Sequence, residues 1–159
     1  MTAFLTKLLH LKENRQASAA RALQRKRVEL QQAEQTLTKA ENALQAAVSA
    51  YERQVDTLYE PLIGQAIDMR RIEDVESKIA DLDRHRQELS DAVDDSADHV
   101  ADVKEAEQGL LKIYAEKSRA FERLDALVDE LKFAARTEAE RHAELELEEG
   151  VHNRKGFAR

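Results

Sequence analysis

Cysteine is absent from this 159-residue chain, tryptophan is absent, and proline occurs once, at Pro61. Without cysteine there are no disulfides and no thiolate chemistry, and a reducing compartment is mildly favoured. Aromatic residues make up only 4% and many of the apolar residues are alanine, so too few large side chains exist to fill a globular core. No apolar run reaches the length needed to span a bilayer, and the start, "MTAFLTKLLHLKENRQ", lacks the features of a secretory signal. With four glycines and one proline, helix breakers are nearly missing as well. What remains is charge, at 36% of residues, together with alanine, leucine and glutamine, the composition of long helices and coiled coils.

The apolar residues are strictly spaced. Before the proline, every seventh residue from Leu9 gives Gln16, Leu23, Leu30, Leu37, Leu44, Tyr51 and Leu58, all large and apolar except Gln16. Three residues after each lies a second column, Lys12, Ala19, Lys26, Ala33, Ala40, Ala47 and Gln54. After the proline the repeat runs without a stutter, with a positions from Ile72 through Val128 to His142 and d positions from Val75 through Leu131 to Leu145. This 3–4 spacing specifies a left-handed coiled coil. The predicted fold is all-α: a long two-helix antiparallel coiled-coil hairpin with helices over 3–59 and 69–149, a reversal over 60–68, and the second helix projecting past the first. At 1.5 Å per residue the helices would measure about 85 Å and about 120 Å.

The reversal is placed by "LYEPLIGQ", residues 58–65. Pro61 cannot donate to a helix ladder and disfavours helical geometry at Glu60, and Gly64 eases a turn. Asp68 is positioned to cap the second helix. Folded back there, residues whose numbers add to 133 should face each other: Leu58 with Val75, Tyr51 with Leu82, Leu44 with Leu89, Leu9 with Leu124. The polar interruptions then coincide, Gln16 with Lys117 and Lys26 with Glu107. Small seam residues meet large ones and unlike charges meet, so the pairing is expected within one chain, as a monomer, although a helix-swapped dimer would keep the same contacts. Past Leu131 the seam decays where the first helix has run out. Residues 1–149 are therefore expected as one hairpin domain, with Gly150 as a C-terminal cap and 150–159 as a frayed tail.

Charge is uneven. Residues 1–40 carry eight Lys/Arg against three Glu, a net of +5, which leaves −12 for the rest of a chain whose total is −7. A basic arm on an acidic body points to an acidic partner or to pairing with the body itself. Arg25, Lys26 and Arg27 could meet phosphates, but no aromatics interleave and the chain is acidic overall, so nucleic-acid binding is not expected. No catalytic constellation, cofactor motif or metal set stands out; His99 between Asp95 and Asp102 reads as a solvated acidic face, and a two-helix rod offers no enclosed pocket. The expectation is a protein that is not an enzyme. Two clusters are over-hydrophobic for their places. Phe4, Leu8 and Leu11 are left over by the first seam, in a segment amphipathic enough to suggest a membrane surface or a partner. Tyr59, Leu62, Ile63, Ile67 and Met69 crowd the reversal, either capping the hairpin or forming a docking surface.

The segments "LLHLKENRQASAARAL", "YERQVDTLYEPL" and "RRIEDVESKIADLDRHRQEL", with the chain length and the mid-chain break, resemble the YscO-type stalk proteins of bacterial type III secretion systems, relatives of the flagellar export protein FliJ. The resemblance covers essentially the whole chain. It implies a cytoplasmic stalk, peripherally associated with the secretion apparatus at the inner membrane, in a system of virulence or symbiosis. Its implied partners are the type III secretion ATPase, the cytoplasmic ring of the export gate, and translocator or effector chaperones. Carried onto this sequence, the ATPase-ring end would hold Phe4, Leu8, Leu11, Arg15, Arg25 and Arg27. The gate- or chaperone-facing tip would hold Tyr59, Leu62, Ile63 and Arg70. A stand-alone coiled-coil chaperone and a structural coiled-coil adaptor are the competing readings.

Overall fold

A computed structural model describes residues 2–66 and 68–157. Helix α1 runs Thr2–Tyr59 and helix α2 runs Met69–Gly156, joined by a short 3-10 turn, Glu60–Leu62. The two long helices pack on each other as a helical hairpin, and no strand occurs among the described residues. The chain divides into two compact units, each built from a stretch of both helices. One comprises residues 22–111 with the reversal, the other 1–21 with 112–159.

The reversal follows its sequence chemistry. Pro61 lies at the start of the 3-10 turn, which the Ile63 amide closes on the Glu60 carbonyl at 3.2 Å. Gly64 has φ of +82°, the one positive φ among the described residues. A side chain there would strain the backbone, so glycine is favoured. The Asp68 carboxylate accepts from the Arg70 amide at 3.4 Å, capping α2 as expected, and Arg71 ties back to Gln65 at 2.9 Å. Ile67, assigned to the same cluster from sequence, lies outside the described residues.

In the unit of residues 22–111, the a and d columns are buried or half-buried throughout, with Gln54 the exception. Leu23, Ala33, Val75 and Val103 are the buried residues of this seam. One place differs from expectation. Lys26 does not bond Glu107; its ammonium sits 2.7 Å from Glu29, one turn along its own helix, and Arg27 makes the cross-helix bridge to Glu107 at 3.3 Å. The longer planar guanidinium reaches in from the flank, while lysine satisfies a nearer carboxylate. Arg86, a charge at a seam position, swings over the ring of Tyr51, 4.2 Å from its centroid, and bonds Asp83 at 3.2 Å. Ala43, Ala46, Ala47 and Ala50 border a groove beside it, where larger residues would leave no room.

In the other unit Gln16 donates to the Ser118 hydroxyl at 3.1 Å, the neighbour of Lys117, and all three residues are half-buried. One heptad along, Leu9 and Leu124 are both half-buried, and the seam closes at Val128, which is buried. From there to residue 157 every residue except Thr137 is exposed. Gly150 does not end the helix. Its φ is not positive, and α2 continues through it to Gly156, because glycine inside a helix costs only about 1 kcal/mol and no capping turn replaces the ladder. Of the expected tail, Ala158 and Arg159 lie outside the described residues.

Candidate partner-binding surfaces

A helix that spends its large aliphatics on one seam should present polar residues elsewhere. Departures from that rule mark candidate surfaces. In the unit of residues 1–21 and 112–159, Phe4, Leu8, Leu11 and Arg15 follow the spacing i, i+4, i+7, i+11. At 100° per residue they form one stripe along α1, beside the seam and separate from it. Phe4 is 66% exposed, Leu11 and Arg15 are exposed, and Leu8 is half-buried. Arg25 and Arg27, grouped with them in the sequence reading, belong to the other unit. There Arg25 is exposed and Arg27 holds Glu107.

The sequence reading missed the α2 side of the same face. Ile113, Ala120, Leu127 and Ala134 each precede an a position by one residue, an apolar column at seven-residue spacing. In an antiparallel pair such flanking columns lie on the same side of the seam. Leu127 flanks the layers of Leu124 and Val128, as Leu8 flanks those of Leu5 and Leu9, and Leu127 is exposed. Reading only a and d positions hides this column, although its period is legible. The opposite flank is polar, carrying Ser118 and Asp125.

Beyond Val128, α2 also exposes Leu131, Phe133, Leu145, Leu147 and Val151. Phe133, Glu140, Glu144, Leu147 and Val151 share one face of this unpartnered stretch by their spacing. Residues 138–149 hold six Glu and a single Arg, so the stretch is strongly acidic.

The unit of residues 22–111 holds the candidate residues of the reversal. Ile63 is 78% exposed, Tyr59, Met69 and Arg70 are exposed, and Leu62 is half-buried, packed at a shallow groove with Leu58, Pro61 and Val75. Capping and exposure are thus divided: Leu62 turns toward the seam while Tyr59 and Ile63 face water. A second groove, lined by Gln54, Thr57, Leu58 and Leu82, runs next to it.

The Tyr51 hydroxyl donates to the Asp83 carboxylate, and that bond, with partial desolvation, holds the phenol above its ordinary pKa of 10.0. Among the described residues no cluster of His, Asp and Glu could hold a metal ion, and no helix is long and apolar enough to cross a membrane.

A family model described as type III secretion protein YscO matches residues 5–153. Among solved structures, the chain is similar to the 2.8 Å crystal structure of type III secretion protein YscO from Vibrio parahaemolyticus. The two are 19% identical, with a TM-score of 0.79 over 93% of each chain. No curated protein matches.

Proposed function

This chain belongs to the YscO family of type III secretion proteins, and from that premise we propose that it is a non-enzymatic stalk that docks on the secretion ATPase hexamer. In this reading it promotes the ring's assembly and hydrolysis and links it to the export gate. It works peripherally at the inner membrane. The observation that carries the docking is the exposed stripe Phe4–Leu8–Leu11–Arg15. A coiled coil has no structural need for large apolar residues outside its seam, and an exposed apolar patch with an arginine at its end suits a protein-binding surface. Arg25 and Arg27 add positive charge further along α1.

The exposed Tyr59, Ile63 and Arg70, with the half-buried Leu62, form the second proposed contact, toward the cytoplasmic ring of the gate or toward translocator and effector chaperones. Two apolar surfaces in separate units suit a protein that holds two partners at once.

The test is ATP hydrolysis by the cognate ATPase with added stalk. Wild type should raise both the rate and the hexamer content. The pair Phe4→Ser with Leu11→Ser should abolish the gain while leaving helicity by circular dichroism unchanged, and Ile63→Ser should keep it. Absence of any stimulation at micromolar wild-type chain would refute the ATPase reading.

A further inference from the structure

The exposed stretch of α2 after Val128 is a helix without a partner. Most helical stability in proteins comes from packing an apolar face. This stretch has such a face, with Phe133, Leu147 and Val151 exposed along it and Glu140 and Glu144 between them. The same unit presents a surface of complementary character. The stripe Phe4–Leu8–Leu11–Arg15 is apolar, and Lys7, Lys12 and Arg15 give it positive charge. The single carboxylate there, Glu13, lies 3.5 Å from His10.

We propose that a second copy of this chain covers the stripe: the acidic α2 stretch of each copy lies along the Phe4–Arg15 face of the other, forming a reciprocal dimer. Charge selects this occupant. Two α2 stretches set against each other would oppose glutamates to glutamates, and two stripes would oppose cations to cations; only stretch on stripe brings unlike charges together. Spacing agrees. With α1 and the visiting stretch parallel, one offset sets Phe133 beside Phe4 and Glu144 beside Arg15, since both pairs differ by 129 in number. A twofold makes the contact isologous, so each pair occurs twice and the assembly closes at two copies.

The dimer uses residues that the stalk reading gives to the ATPase, so pairing and ring docking exclude each other. It is testable on the chain alone, independently of that reading. Sedimentation equilibrium of the full chain should show a monomer–dimer equilibrium with a Kd in the micromolar range, weakened at high salt. Arg15→Glu or Glu144→Arg alone should each raise the Kd at least about fivefold, because each is felt at two contacts. The double variant R15E/E144R should restore the wild-type value. Circular dichroism of each variant, read at a concentration where wild type is monomeric, separates lost pairing from lost folding. A chain that stays monomeric up to about 200 µM, two decades above a micromolar Kd, overturns the proposal. So does a dimer indifferent to both single charge reversals.

Discussion

The guanidinium of Arg86 lies 4.2 Å from the centroid of the Tyr51 ring, and the same arginine bonds Asp83, whose carboxylate in turn accepts from the Tyr51 hydroxyl. A charge at a seam position is thereby kept at half-burial on an aromatic face instead of being left in an apolar layer. Partly solvated cation–π contacts are worth about 0.5–1 kcal/mol. A double-mutant cycle with Arg86→Gln and Tyr51→Leu, measured by urea unfolding, should return a coupling of about that size.

The Tyr51 phenol predicts an alkaline dependence. Its folded pKa lies above the ordinary 10.0, so the neutral form is favoured by folding. That contribution is complete below the unfolded pKa and is lost as pH rises through the folded one. Ultraviolet titration should find Tyr51 ionising later than free tyrosine, and Asp83→Asn should bring it back down. An unshifted phenol in the wild type would contradict the Tyr51–Asp83 bond.

The glycines should respond with opposite sign. Gly64 has φ of +82°, so Gly64→Ala should destabilise by about 1 kcal/mol through backbone strain. Gly109 is helical, and an added Cβ would meet nothing within 4 Å. Gly109→Ala should stabilise by about 0.5–1 kcal/mol. Thermal denaturation compares the two directly.

Seam burial should divide the leucines. Leu23 is 5% exposed and Leu23→Ala should cost about 2–3 kcal/mol. Leu131 is a d position of α2 but is 46% exposed, so Leu131→Ala should cost less than about 0.5 kcal/mol in a monomer. Chemical denaturation at low protein concentration checks both.

The bridge between Arg27 and Glu107 should matter for register more than for strength. Arg27 is half exposed, so Arg27→Ala should cost under about 1 kcal/mol. Glu107→Lys, which sets like charges across the seam, should cost more, and Glu107→Leu should hold or raise the melting temperature.

Periodicity, composition and one proline determined the two helices, the reversal, the seam and the place where it fades, because the heptad spacing alone states which face is buried. The exposed stripe from Phe4 to Arg15 was legible too, as apolar residues the seam did not use. Other features were decided by the folded chain. Whether Lys26 or Arg27 reaches Glu107 depends on side-chain length and on the nearer Glu29. The resting place of Arg86 depends on a ring from the opposite helix and the room left by alanines. The continuation of α2 through Gly150 depends on backbone conformation, which glycine leaves open. The division of the candidate arginines between two units, and the gathering of Leu8 and Leu127 onto one side, follow from pairing residues more than a hundred positions apart. A pattern of seven fixes the face a residue takes, but only packing fixes what that face meets.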